Sequence, residues 1–121
     1  MRNDEAFANA KYIPGGEEYY AIWQGKATRL RMALSTRCEL NIPYGSGPSH
    51  WYDLFAPDGE AQGLMIFVHG GYWMETGPRD YTHLAQGALS RGWSVAMPSY
   101  SLAPAVRIGA MVTEIVAAVE M

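Results

Sequence analysis

The sequence has a single cysteine, Cys38, among its 121 residues. One cysteine cannot form a disulfide within the chain, and such cysteine usage is typical of proteins from a reducing compartment. The first residues, MRNDEAFANAKY, are polar and lack the apolar core of a secretion signal. These features predict a cytoplasmic location.

Long apolar runs and concentrated charge of one sign are also missing. The uncharged apolar stretches are far shorter than the ~20 residues that a membrane-spanning helix needs. The net charge is −3 and the basic residues are scattered, so we expect neither nucleic acid nor a membrane as a partner. No HxxxH or CxxC pair occurs, and His50, His69 and His83 are widely separated. We therefore expect no metal site and no cofactor.

The apolar residues that are present, 49% of the chain, are enough for one modest domain with a core. Residues 1–16 are predicted to form an extended N-terminal arm that ends at the turn signal IPGG. The domain would then comprise residues 17–121. Apolar residues recur at spacings of three and four between residues 20 and 34, which predicts a helix over 17–37. Its aromatic stripe is interpreted as a packing face.

The remaining segments alternate between strand and helix patterns. CELNIPY and HWYDLFAP flank the turn-rich GSGPS and predict a hairpin, and residues 64–68 predict a strand buried on both faces. A helix is expected over 81–92, with Asp80 as N-cap and Gly92 as its stop. A buried strand in WSVAMPSY and a helix from about Val106 follow. This order predicts an α/β fold with a mainly parallel sheet, an N-terminal antiparallel hairpin and flanking helices.

The stretch HGGYW, residues 69–73, follows the end of a predicted strand, where open α/β sheets bind ligands. Glycines there leave backbone N–H groups uncovered, and each N–H donor aimed at a developing oxyanion contributes about 3 kcal/mol. We predict an oxyanion hole at Gly70, Gly71 and Tyr72, with Gly71 and Tyr72 as the N–H donors and Gly70 making the turn. His69 would brace the loop by hydrogen bonding, while Trp73 and Tyr72 would contact substrate. The alternative is a glycine turn with no chemical role.

HGGYW and the later segment PSYSLAP resemble the N-terminal half of an α/β-hydrolase, and within that fold the kynurenine formamidase (arylformamidase) and esterase-like group. The segments YGSGPSHWYDLFAPDG and GEEYYAIW are similar to the leader and first strands of that group. The resemblance implies a serine nucleophile with Asp and His partners and an oxyanion hole in the HGGxW loop. It also implies a small aromatic amide or ester as the substrate. Residues 17–121 would then be a partial α/β-hydrolase domain.

The sequence departs from that family because it has no G-x-S-x-G motif. In this fold the nucleophile lies on a turn between a strand and a helix. Ser94, in GWSVA, falls at the beginning of a predicted strand, where no such turn forms. Ser49 and Ser101 lack flanking glycines and a following helix. We therefore expect the nucleophile, the acid and the base beyond Met121, and the 121-residue chain alone to be inactive.

Two functional hypotheses follow from these residues. The first is a serine hydrolase to which this chain supplies the oxyanion-hole loop but not the nucleophile. The second is a non-catalytic truncated or pseudoenzyme half that self-associates or binds a partner. An uncovered edge on the strand at residues 64–68 would favour such association, including a homo-oligomer. The sequence does not distinguish a formamide, an ester or a thioester as the substrate.

Overall fold

The computed structural model describes residues 3–121, so that Met1 and Arg2 of the predicted arm lie outside the described residues. A four-stranded sheet has helices and short 3₁₀ turns packed around it. The strands are β1 Cys38–Pro43, β2 Trp51–Phe55, β3 Leu64–Ile66 and β4 Ser94–Pro98. The helices are α1 Asn3–Ala6, α2 Tyr19–Leu34, α3 Gln86–Leu89 and α4 Ile108–Val119.

The sheet has the order β1-β2-β4-β3. The β1–β2 hairpin is antiparallel, as predicted, with a bulge between Glu39 and Ile42. The α/β class is confirmed, but the sheet is mixed rather than mainly parallel: β2–β4 is antiparallel and only β3–β4 is parallel. The reason is that parallel neighbours need a long crossover. Among the described strands, only β3 and β4 are joined by a connection that contains helices.

Strand β3 lies at the edge of the sheet and pairs only with β4 within the described residues. The prediction that this strand is buried on both faces is therefore wrong: Leu64 is 52% exposed and Ile66 is 37% exposed. Pairing continues one residue past the strand, because the Phe67 N–H donates to the Ala96 carbonyl at 2.9 Å. The carboxyl end of β3 thus leads directly into HGGYW.

Helix α2 confirms the predicted helix, with 3₁₀ turns at Gly16–Glu18 and Ser35–Arg37 on either side. The predicted packing face is correct for the second half of the helix, where Ala27 and Leu34 are buried. At the beginning of the helix Tyr19 and Tyr20 remain 44% and 38% exposed. The aromatic end of the stripe therefore does not belong to the core.

Two other helical predictions need correction. The arm is not extended, because it contains α1 and a 3₁₀ turn at Asn9–Tyr12. The helix expected over 81–92 is a 3₁₀ turn, Thr82–Ala85, followed by the single turn of α3. Asp80 does not cap it; its Oδ2 accepts the Gly77 N–H at 2.9 Å and closes the preceding 3₁₀ turn. Gly92 does end the segment, with φ of 82°, as a left-handed C-terminal glycine does.

The core lies between one face of the sheet and the helices α2 and α3. Phe55 and Met97 are fully buried there, and burial of side chains of this size stabilises by about 2 kcal/mol each. The core cluster consists of Leu34, Phe55, Ala85, Leu89, Val95 and Met97.

Among residues 3–121, no helix combines the length and apolar character required to cross a bilayer.

Candidate active site

The HGGYW loop, residues 69–73, has an unusual backbone. Gly71, Tyr72 and Trp73 all have positive φ, at 125°, 54° and 58°. The Gly71 carbonyl accepts the N–H groups of Met74 at 3.0 Å and Glu75 at 2.8 Å, which closes the turn. Positive φ at a residue with a side chain costs about 1 kcal/mol or more, and such strain concentrates at functional sites.

The two glycines differ in what requires them. A Cβ on Gly71 would collide with the Glu75 carbonyl and the Thr76 hydroxyl, whereas a Cβ on Gly70 would meet nothing within 4 Å. The positive φ also belongs to Gly71 and not to Gly70. The turn that the sequence assigned to Gly70 therefore falls one residue later.

Consecutive peptide N–H groups in this loop have no acceptor. Among residues 3–121, the amides of Gly70, Gly71, Tyr72 and Trp73 donate to no protein group, although the next two amides do. A cavity of about 200 Å³ lies beside them, lined by residues 69–73 and Tyr100. Unpaired backbone donors beside a cavity are available to a ligand that carries an oxygen acceptor.

His69 is 4% exposed and is held by two tyrosine rings and by hydrogen bonds. Its ring stacks on Tyr100 at 4.4 Å between centroids, with Tyr81 at 6.1 Å. The Nδ1–H donates to the Gly70 carbonyl at 2.7 Å, and the Tyr100 hydroxyl donates to the His69 carbonyl at 2.6 Å. Burial lowers the pKa of His69 despite the opposing effect of that hydrogen bond to Gly70. His69 is thus a neutral, buried donor.

Thr76 contacts the same carbonyl as His69, and no pattern in the sequence had indicated a role for it. Its Oγ1 donates to the Gly70 carbonyl at 2.8 Å and lies 3.4 Å from His69 Nδ1. The PSYSLAP segment also contacts the loop, because the Ala103 N–H donates to the Trp73 carbonyl at 2.8 Å. No sequence motif identifies these contacts; they depend on where the tertiary fold places each segment.

A buried ion pair fixes the segment that follows the loop. Asp53 on β2 is 1% exposed and accepts Arg79 Nε at 2.8 Å and Nη2 at 3.1 Å. Arg79 also donates to Asn41 Oδ1 at 2.8 Å, and its guanidinium lies 4.7 Å from the centre of the Trp51 ring. The hydrogen bond to Asp53 raises the pKa of Arg79. These contacts connect the Pro78–Asp80 turn to the hairpin.

A second polar cluster holds the segment around Ser101. Glu114 on α4 accepts the Ser101 N–H at 2.7 Å and lies 3.4 Å from His50 Nε2. His50 Nδ1 accepts the Gly47 N–H at 3.0 Å, so the proton of the neutral ring is on Nε2. Burial alone would raise the pKa of Glu114, but the hydrogen bonds from Ser101 and His50 outweigh it and lower the pKa.

The predicted substrate-contacting side chains diverge from each other. Trp73 is 53% exposed and borders an apolar cavity of about 320 Å³ formed with Val68, Tyr100 and α4. Tyr72 is 60% exposed, and its hydroxyl contacts the N-terminal arm.

Ser94 lies at the beginning of β4, as expected. Within residues 3–121, no serine hydroxyl is hydrogen bonded to a histidine, and no three His, Cys, Asp or Glu side chains are grouped to hold a metal.

Kynurenine formamidases are among the curated proteins similar to this chain. The chain is 30% identical over 78 residues to the kynurenine formamidase of Salmo salar, which covers 63% of the chain and 26% of that protein. It is 28% identical over 92 residues to the kynurenine formamidase of Danio rerio, covering 74% of the chain and 31% of that protein. The chain thus spans about a quarter to a third of these relatives. No family model matches it.

Solved structures give the fold over a larger part of the chain. A candidate thioesterase from Silicibacter sp. is 48% identical, with a TM-score of 0.93 over 99% of this chain and 46% of that chain. Esterase B from Lactobacillus rhamnosis is 18% identical, with a TM-score of 0.62 over 85% of this chain and 38% of that chain. The second match carries the fold alone. Together they confirm a partial α/β-hydrolase fold.

Proposed function

Because this chain has part of the α/β-hydrolase fold and is similar to the kynurenine formamidase and esterase-like group, we propose that it supplies the oxyanion hole of a serine hydrolase. The substrate would be a small aryl formamide or carboxylic ester. The nucleophile, the acid and the base would come from protein segments outside these 121 residues. The chain alone is therefore expected to be inactive.

The observation that carries this proposal is the fixed peptide plane between Gly70 and Gly71. The Gly70 carbonyl accepts hydrogen bonds from His69 and Thr76. In a planar trans peptide the C=O and the following N–H point in opposite directions. The Gly71 N–H is therefore directed away from His69 and Thr76, and it has no acceptor within the described residues.

In the proposed reaction, a serine hydroxyl attacks the substrate carbonyl and its oxygen becomes negatively charged. The Gly71 and Tyr72 N–H groups would donate to that oxygen, each with about 3 kcal/mol of transition-state stabilisation. His69 acts here through the loop rather than as a base, because its Nδ1 proton is used by the Gly70 carbonyl. Trp73 would pack against the aromatic part of the substrate from the apolar cavity that it borders.

Hydrolysis assays test the proposal with two preparations. The 121-residue chain and a longer protein that contains it are compared on p-nitrophenyl acetate and on an N-formyl aromatic amide. We expect turnover only from the longer protein, and complete loss of turnover after a serine-directed phosphonate. A longer protein without activity, or turnover that the phosphonate leaves unchanged, contradicts the proposal.

A substitution then tests the role of the loop. In the active protein, Thr76→Val removes one of the two donors to the Gly70 carbonyl. We expect kcat to fall about tenfold, with KM almost unchanged. This loss is smaller than that for removal of a whole oxyanion donor, because the Gly71 N–H is still present. Thr113→Val on α4 is the matched control, because its hydroxyl bonds only the local Gly109 carbonyl. Equal effects of the two variants would exclude a specific role for Thr76.

One observation favours the second candidate function, a non-catalytic half that associates through its sheet. The β3 edge exposes Leu64, Ile66 and Val68. Unpaired strand edges with apolar side chains recruit other chains. This function and the hydrolase proposal separate at the assay above, since a non-catalytic protein gives no phosphonate-sensitive turnover in any preparation.

A further inference from the structure

A groove of about 700 Å³ lies between the N-terminal arm, the beginning of α2 and the HGGYW loop. This volume is within the range that small-molecule ligands occupy. The groove is unusually aromatic. The rings come from three separate segments, with Phe7 in the arm, Tyr19, Tyr20 and Trp23 in α2, and Tyr72 in the loop.

These rings are not part of the core. Phe7 is 65% exposed and Tyr72 is 60% exposed. Tyr20 and Trp23 contact each other edge to face, with ring centroids 5.4 Å apart. Exposed apolar surface that is gathered into a groove, rather than scattered, indicates a binding site.

Tyr72 joins this groove to the proposed oxyanion hole, because it lines both the groove and the cavity beside residues 69–73. Its hydroxyl donates to the Phe7 carbonyl at 3.1 Å and accepts from Asn9 Nδ2 at 3.3 Å. The arm is therefore held against the Tyr72 side chain. The backbone N–H of the same residue is one of the two proposed oxyanion donors. A ligand in the groove lies next to the loop.

The charge of the groove is negative. Glu17 and Glu75 line it, and neither carboxylate has a basic nitrogen within 4.0 Å among residues 3–121. Lys11 is the one basic residue of the lining, and its ammonium lies over the Tyr12 ring at 5.2 Å. Burial, and to a smaller extent the neighbouring Tyr81, Glu75 and Asp80, raise the pKa of Tyr20. Two carboxylates against one lysine in the lining give the groove its negative charge.

We propose that this groove binds a small aromatic amine, with its ring among the aromatic side chains and its ammonium group beside Glu17 and Glu75. Aromatic faces and carboxylates both attract an ammonium ion. A carboxylate on the same ligand would be repelled, so amines bind in preference to amino acids. The inference rests on the proposed function only in one respect: for an ester substrate, an amine-bearing acyl portion occupies the groove while its carbonyl reaches the loop and the aromatic leaving portion packs against Trp73.

Four ligands of similar shape test the charge preference. The 121-residue chain is titrated with phenethylamine, 2-phenylethanol, 3-phenylpropionate and phenylalanine, and binding is followed by calorimetry and by Trp fluorescence. At low salt we expect phenethylamine to bind about tenfold more tightly than the alcohol, and more tightly still than phenylpropionate or phenylalanine. The preference shrinks in about 0.5 M salt as the charges are screened. Equal binding of the amine and the alcohol overturns the proposal.

Substitutions locate the site. The Glu75 side chain makes no hydrogen bond within residues 3–121, so Glu75→Gln is expected to fold, and circular dichroism checks that it does. We expect about fivefold weaker binding of phenethylamine and unchanged binding of 2-phenylethanol. Glu17→Gln provides a second variant at the same groove. Glu60→Gln, an exposed carboxylate elsewhere, is the control, and an effect of Glu60→Gln equal to that of Glu75→Gln overturns the assignment.

The binding readout separates this inference from the proposed function. Amine-selective binding without any hydrolysis by the longer protein refutes the hydrolase proposal, but it supports the groove as an amine-binding site. Hydrolysis without amine selectivity refutes amine binding in the groove and leaves the proposed oxyanion hole unaffected. A weaker effect of Glu75→Gln on the amine than on the alcohol refutes the position of the ammonium group.

Discussion

At the scale of single residues, the two adjacent glycines of HGGYW have different reasons to be glycine. Gly71 has a φ of 125° and lies against the Glu75 carbonyl. Both the backbone conformation and the lack of space therefore exclude a side chain there. Gly70 has open space in front of its Cα. We infer that Gly70 keeps the approach to the peptide N–H groups clear, while Gly71 makes the turn.

This difference predicts effects of different size on stability for two alanine substitutions. Gly71→Ala should lower the free energy of unfolding by about 2–4 kcal/mol, because it adds both backbone strain and a collision. Gly70→Ala should change it by less than about 1 kcal/mol. Urea denaturation of the two variants measures both values. Comparable losses would contradict the loop conformation in which Gly71, and not Gly70, has a positive φ.

His69 makes stability depend on pH. Burial lowers its pKa in the folded protein, so the unfolded chain takes up the proton first as the pH falls. Its stabilising effect is complete above the unfolded pKa of about 6.5 and decreases below it, by at most about 1.4 kcal/mol per pH unit. Denaturation between about pH 7.5 and pH 5.5 should show this slope. His69→Asn, whose amide can still donate to Gly70, should reduce it.

A control is needed because burial and the charge of Lys26 also lower the pKa of His83. His83→Asn should leave the larger part of the slope unchanged, since His83 is less buried than His69. If His83→Asn removes most of the slope, the assignment of the pH dependence to His69 is incorrect.

At the scale of elements, the Pro78–Asp80 turn is positioned by the hairpin rather than by its own sequence. Arg79 connects it to Asp53 on β2 and to Asn41 in the bulge of β1. The Asn41 N–H in turn donates to Asp53 at 3.0 Å, and Asn41 has a positive φ of 59°. The bulge therefore turns a backbone donor and a side-chain acceptor toward the same ion pair.

Removal of the guanidinium should be costly because Asp53 would remain buried without its partner. We expect Arg79→Met to lower the free energy of unfolding by about 3 kcal/mol, at the lower end of the range for buried pairs because Arg79 is 38% exposed. Arg91→Met, at an exposed arginine of another turn, should cost less than about 1 kcal/mol. The variant with Asp53→Leu and Arg79→Met should lose less than the sum of the single variants, and strict additivity would exclude the coupling.

At the scale of the whole molecule, apolar side chains of the described residues are exposed on the edge strand β3 and on helix α4. Strand β3 is exposed, and the α4 side chains Val112, Val116 and Val119 are about half exposed. A groove of about 240 Å³ runs between the sheet and the end of α4. Further polypeptide of the same protein, or a second copy of the chain, would cover this surface.

We predict that the 121-residue chain self-associates through that exposed edge. We expect sedimentation at micromolar concentration to give species larger than the 13.4 kDa monomer. Leu64→Lys should shift the distribution toward the monomer, because a charge on an edge strand opposes pairing. Leu84→Lys, at an exposed leucine in the Thr82–Ala85 turn outside the sheet, is the matched control. A monomeric wild-type chain would contradict the prediction.

The sequence predicted the elements that depend on local pattern. The β1–β2 hairpin follows from alternation and turn residues, α2 follows from its apolar spacing, and Gly92 ends its helical segment as expected. Asp80 was misplaced because its carboxylate has two competing partners, the Gly77 N–H and Gln24, which lies on a different helix. Such competition between local and distant partners is invisible in a linear pattern.

The sequence by itself determined where the loop lies, because a run of apolar residues followed by HGG marks the end of a strand whatever surrounds it. Tertiary structure alone decided how the loop is held: Thr76, Tyr100 and His69 converge on two adjacent carbonyls. It also decided that β4 lies between β2 and β3, which leaves β3 at the edge. Local steric preferences act over a few residues, whereas partners distant in sequence are brought together only by packing.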